Sequence, residues 1–145
     1  MPVIEALIEA GADVNPSEMV GMTPLSFAIY ETHDLTIVKA LLARGADANL
    51  RTHYGFTALM AAEDKNIEFV KTLLAAGANV NLQSDDGMTA LMIAAKDGSP
   101  DAVRLLIAAG AFLHATNKSG ETAFSLALKA GRKDNLGVLR QAGLK

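Results

Sequence analysis

Apolar and polar positions along this 145-residue chain recur in two alternating phrases. The first reads GMTPLSFA at 21–28, GFTALMAA at 55–62, GMTALMIA at 87–94 and GETAFSLA at 120–127. The second reads IEALIEAGAD at 4–13, VKALLARGAD at 38–47, VKTLLAAGAN at 70–79, VRLLIAAGAF at 103–112 and LGVLRQAGLK at 136–145. The leading glycines of the first phrase stand 34, 32 and 33 residues apart, and Gly11, Gly45, Gly77 and Gly110 each lie 10 residues before the next of them. A period near 33 with fixed phase points to stacked supersecondary units, each too small to bury its own apolar face.

Both phrases predict helices. Thr23, Thr57, Thr89 and Thr122 occupy N-cap positions, where a hydroxyl accepts from an orphan backbone N–H, and Pro24 takes the first helical position. Leu25, Leu59, Leu91 and Phe124, with the alanines that follow, form one apolar stripe on a short helix that a neighbour can approach closely. A second helix begins after Asp34, Asn66 and Ser99, with Pro100 again at a first position. Val38/Leu41/Leu42, Val70/Leu73/Leu74 and Val103/Leu106/Ile107 give it an i, i+3, i+4 stripe. Gly45, Gly77 and Gly110 end these helices in a left-handed cap. The polar connector that follows reads as an extended hairpin. Unit one carries an extra residue between its helices and unit two lacks one.

The resulting GxTPLxxA…VxxLLxxGAxxN pattern resembles the ankyrin repeat over essentially the whole chain. That resemblance implies an all-α ankyrin-repeat solenoid of helix-turn-helix units joined by hairpin loops. Here it comprises one domain, 1–145, with a half-repeat at 1–15 and repeats at 16–49, 50–81, 82–114 and 115–145. The family's histidine after Thr-Pro-Leu is replaced by Ser26, Met60, Met92 and Ser125, and three of its four prolines by Ala58, Ala90 and Ala123. These changes weaken the usual Thr–His bonding and keep the helix. At the C-terminal end Arg140 replaces Leu42, Leu74 and Ile107, Arg132 replaces the N-cap residue, and Asp134 is placed to cap a shortened last helix. Charge at an outer apolar position suits a terminal repeat. At the other end Ile4, Leu7 and Ile8 match core positions of a second helix whose partner is missing, so the half-repeat is expected to serve as its own cap.

Composition narrows the picture. Half the residues are hydrophobic but only 5% are aromatic and Trp is absent, so the core must be built from Ala, Leu, Ile, Val and Met. The absence of Cys removes disulfides, thiolate zinc sites and cysteine nucleophiles. No apolar run approaches the roughly 20 residues of a membrane span. The compartment stays open: cytoplasm is slightly favoured, and periplasm or secretion remains compatible with a natural start further upstream. Net charge is −3, split as −7 over 1–114 (7 Lys/Arg, 14 Asp/Glu) and +4 over 115–145 (6 and 2). A sequence pI near 5.5 does not suit a nucleic-acid binder.

Catalytic chemistry finds no foothold. His33, His53 and His114 fall in different loop contexts away from ligand spacing, and His33-Asp34 reads as a turn followed by an N-cap. Asp85-Asp86-Gly87 lacks the alternating carboxylates of a cation loop and reads as an acidic hairpin tip. Asp13, Asp47 and Asn79 recur as loop-forming residues. No enzyme, cofactor or metal site is expected.

The resemblance implies instead a non-enzymatic scaffold that binds a protein through hairpin tips and the concave face of first helices. The flanks of the leading glycines are Met19, Val20 and Met22; His53, Tyr54 and Phe56; Asp85, Asp86 and Met88; and Asn117, Lys118, Ser119 and Glu121. Apolar and aromatic residues in the first two sets, joined by Tyr30, suggest a contact patch. Glu31, Lys96, Asp97 and Lys129 would tune specificity and on-rate. A second, basic surface of Lys118, Lys129, Arg132 and Lys133 reads as solvated capping charge. A monomer is expected, with self-association through the N-terminal half-repeat as the alternative. Deleting residues 1–14 should reduce soluble yield by exposing the first repeat; a truncated chain as soluble and stable as the full one would show the half-repeat to be dispensable.

Overall fold

The computed structural model describes residues 10–16, 21–62 and 66–144, so Ile4, Leu7, Ile8, Met19 and Val20 lie outside the described residues. Among the described residues eight α-helices follow one another in four pairs: α1 (Pro24–Phe27) and α2 (Leu35–Ala43), α3 (Ala58–Ala61) and α4 (Ile67–Ala75), α5 (Ala90–Lys96) and α6 (Pro100–Ala108), α7 (Ala123–Lys129) and α8 (Lys133–Gln141). No strand occurs among the described residues; the connectors are turns. Each pair packs on the next, α1 on α3, α3 on α5 and α5 on α7 in one row, α2 on α4, α4 on α6 and α6 on α8 in the other.

The short first helices form because both ends of the local problem are solved. Thr23, Thr57, Thr89 and Thr122 accept from the N–H three residues on, at 3.0, 3.4, 3.2 and 3.2 Å. Where histidine is replaced by serine, the hydroxyl restores part of the bonding: Ser26 Oγ donates to the Thr23 carbonyl at 3.0 Å, and Ser125 closes a capping box with Thr122. Leu25, Leu59 and Leu91 are buried in line down the stack, facing Val38, Val70, Val103 and the Leu41, Leu73 and Leu106 series of the second helices.

The Gly-Ala pairs end the second helices in a Schellman motif. Gly45 N–H donates to Leu42 O and Ala46 N–H to Leu41 O, each at 3.0 Å, and the same pairing repeats at Gly77, Gly110 and Gly143. Neighbouring repeats are then clamped by asparagine. Asn49 Nδ2 donates to Gly77 O at 3.1 Å while its Oδ1 accepts from Asn79 N–H at 2.6 Å. Asn15 makes the same two bonds to Gly45 and Asp47, and Asn81 to Gly110 and Phe112. Asp13, Asp47 and Asn79 orient these side chains by accepting from the N–H two residues on, an Asx turn that explains their recurrence. His114 takes the fourth asparagine position, and the ladder stops there.

The two spacing irregularities have distinct structural outcomes. The extra residue of repeat one is absorbed by a π-turn, Ala28–Thr32, continuing α1 and closed by His33 in the left-handed region at φ 54°. In repeat two, α3 ends at Ala61. The C-terminal end departs from expectation: α8 keeps nine residues, and Asp134 lies inside its first turn without capping it. The reason is that Arg132 and Asn135 are engaged with the preceding repeat instead. Arg132 Nη2 donates to Asp97 O and Gly98 O at 3.1 and 2.6 Å, and buried Asn135 Nδ2 lies 3.0–3.2 Å from the carbonyls of Ala94, Ala95 and Gly98. Together they satisfy the open C-terminus of α5. Arg140 is exposed, its guanidinium 5.7 Å from the Phe124 ring centroid.

If the asparagine clamp joins repeats, Asn49→Ala should lower stability in chemical denaturation by about 1–2 kcal/mol, two net hydrogen bonds. His114→Ala, at the same repeat position without the clamp, should stay within about 0.5 kcal/mol of the parent.

Candidate functional site

Each of the last three hairpin tips, the fingers, is closed by its own backbone: Thr52 N–H to Phe56 O and Gly55 N–H to Thr52 O, then the same with Ser84, Met88 and Gly87, and with Asn117, Glu121 and Gly120. The fingers are tied in a row by one bond per junction, His53 N–H to Gly21 O at 3.3 Å, Asp85 N–H to Tyr54 O at 3.0 Å and Lys118 N–H to Asp86 O at 2.9 Å. Long side chains staple the row. Arg51 Nη2 reaches Gln83 O at 3.0 Å and the Asp85 carboxylate at 3.1 Å, and Gln83 Nε2 in turn reaches Thr116 O at 3.2 Å. Gly55 and Gly87 are needed where fingers cross: a Cβ on Gly55 would lie 2.8 Å from Asp85 N, and one on Gly87 3.0 Å from Asn117 Cα, besides their positive φ.

Beside the first two fingers lies an apolar groove of about 490 Å3. Met22, Tyr54 and Phe56 come to it from the fingers and Tyr30 from the π-turn; Met60 and Ala61 come from α3, Ile93 from α5, and Asp97 caps the end of α5. Both spacing irregularities bear on it. The first helix of repeat one runs on through Thr32, carrying Tyr30 outward, and α5 reaches Lys96, while α3 between them stops at Ala61.

Met22, Tyr30, Tyr54 and Phe56 are thus brought together from three separate segments, all substantially exposed, Tyr54 at 70%. The other expected residues are placed differently. His53 packs edge-on against Tyr54, with ring centroids 5.2 Å apart, and does not line the groove. Asp85 is engaged by Arg51, and Asp86 is exposed at the third tip. Met88 is half-buried against the core, its sulfur 3.5 Å from Asn117 Nδ2. Sequence reasoning missed Met60 and Ile93 in this role. Met60 stands at the family's histidine position, so its departure from pattern was the available signal; Ile93 gave none, since it reads as ordinary helix core.

The basic surface of the last repeat is largely spoken for. Arg132 is bound to carbonyls, and Lys129 Nζ lies 2.5 Å from the Glu121 carboxylate, which also accepts from Asn117 Nδ2 at 2.8 Å. Lys129 foremost, then Asn117, holds the Glu121 carboxyl below the usual carboxylate range, outweighing an opposing push from burial. Among the described residues no group of three or more His, Cys, Asp or Glu is arranged to hold a metal ion, and no helix is long and apolar enough to cross a membrane.

Paired helices stacked in two rows with a finger at each junction define a helical repeat solenoid. The chain belongs to the ankyrin repeat family: the family model for ankyrin repeats (3 copies) matches residues 1–84 and 58–145. Ankyrin repeats generally mediate protein–protein interaction, and the family is a typical non-enzymatic interaction module. An ankyrin repeat protein of fowlpox virus (strain NVSL) is 40% identical over 52 residues, 36% of this chain and 10% of that protein. Rabankyrin-5 of Mus musculus is 37% identical over 60 residues, 41% of this chain and 5% of that protein. Each match therefore covers a small part of a much longer relative.

A carboxyl whose folded-state pKa is depressed stabilises the fold fully above its unfolded value and ceases to do so as pH falls through the lower folded one. Glu121→Gln should therefore make the loss of stability below about pH 4.3 shallower than in the parent, read by thermal unfolding across an acid pH series.

Proposed function

We propose that this chain is a non-enzymatic scaffold, acting as one domain of four repeats behind an N-terminal half-repeat, and that its partner protein docks on the groove formed by the first three repeats. One observation carries the reading: Met22, Tyr30, Tyr54 and Phe56 converge on one apolar concavity although the core does not need them buried. Large aromatic side chains with few rotatable bonds are the usual anchors of an interface, and the groove keeps them within reach of one contact surface. The finger row supports this as a rigid edge. Its backbone bonds and the Arg51 and Gln83 staples fix the tips before any partner arrives, which reduces the ordering cost of binding. Glu31, Lys96, Asp97 and Asp86 border the anchors and act on specificity and on-rate. The chain works as a monomer without cofactor or metal, and nucleic acid is not its ligand.

Affinity capture from host lysate tests the reading. The Tyr54→Ala, Phe56→Ala double variant should lose the captured partner while its thermal unfolding stays within a few degrees of the parent. Capture that survives the double substitution in a folded protein would sink the groove as the docking site, and a drop in unfolding of many degrees would make these rings structural.

A further inference from the structure

The groove's border carries more carboxylates than free cations, and that narrows what fits it. Asp97 lines its wall, Glu31 follows the groove residue Tyr30 on the π-turn, and Asp85 and Asp86 form the tip hydrogen-bonded to Tyr54. The neighbouring cations are already committed within the chain. Arg51 donates to Gly55 O, Gln83 O and the Asp85 carboxylate, and Lys96 Nζ lies 3.5 Å from Asp97. Glu31 and Asp86 are exposed, with no cation paired to either carboxylate among the described residues. The border is therefore acidic with an apolar interior, in keeping with the net −7 carried by residues 1–114.

From this distribution we infer that the groove's occupant is a short linear segment of a partner protein with one bulky apolar side chain flanked by Lys or Arg. The inference rests on the groove being the docking site. An opening of about 490 Å3 lies within the size range of sites that enclose a compact group rather than a flat protein face. Exposed Met22 lines it with a flexible, polarisable thioether that adapts to the shape of an inserted side chain, above the buried Met60. Flanking cations would meet Glu31, next in sequence to Tyr30, and Asp86, on the tip bonded to Tyr54, and an arginine would stack on the exposed Tyr54 ring. An acidic segment would meet the uncompensated carboxylates of Glu31 and Asp86.

A phage-displayed library of random short peptides, selected on the full chain, tests this. Enriched sequences should share an aromatic or long aliphatic residue with Lys or Arg on each side. A synthetic peptide of the enriched sequence should bind more weakly at high salt. It should lose about tenfold or more in affinity for the Glu31→Lys, Asp86→Lys variant, and a smaller factor for Glu31→Gln, Asp86→Asn, each shown folded by circular dichroism. Peptides without basic bias, or affinity within about twofold across these variants, overturn the charge rule while leaving the groove reading intact, provided Tyr54→Ala, Phe56→Ala still abolishes binding. Basic peptides that bind this ring-deleted variant unchanged overturn both. No enrichment over the starting library overturns the short-segment class.

Discussion

Burial between repeats, not within them, is the interaction on which the rest depends. A single helix pair of a repeat array has an apolar face on each side, and Leu25, Leu59 and Leu91 are buried in one core that runs through the stacked pairs. The asparagine clamps and the finger bonds add direction to a contact that is otherwise non-directional. Asn15, Asn49 and Asn81 each join the helix end of one repeat to the next, and the bonds from His53, Asp85 and Lys118 do the same at the other edge. Held at both edges, successive pairs have little freedom to rotate, so the finger row keeps a fixed shape.

That regularity makes the exceptions informative. The groove occurs where the repeat is least regular, one residue long in repeat one and one short in repeat two. A packed solenoid of equal units would present a smoother face. Here the π-turn carries Tyr30 outward and the early end of α3 leaves Ala61 on the floor. The last repeat is irregular for a different reason. Its polar residues Arg132 and Asn135 turn back to close the open carbonyls of α5, so Arg132, which read as solvated capping charge, makes structural bonds.

Much of the fold was legible because the code that specifies it is local. Threonine caps, Gly-Ala endings and the i, i+3, i+4 stripes each act within one turn of chain, so spacing alone places them, and Thr23, Thr57, Thr89 and Thr122 cap as expected. The finger anchors were legible as apolar residues at positions packing does not require. Their separate fates were not. Tyr54 and Met88 occupy similar places beside a leading glycine, yet one is exposed on the groove and the other half-buried against the core.

The sequence by itself determined the repeat, the threonine caps and Gly-Ala endings of its helices, the helical class of the fold and its family, since these follow from interactions between residues a few positions apart. Only the tertiary structure decided which side chains share a surface. Arg51 meets Asp85, and Tyr30 faces the same groove as Ile93, because stacking brings together residues 34 and 63 positions apart. The physical reason is that a one-residue change in spacing shows in the sequence only as a count. Whether it becomes a π-turn or an early helix end, and what space that leaves, depends on the neighbours that the stack supplies.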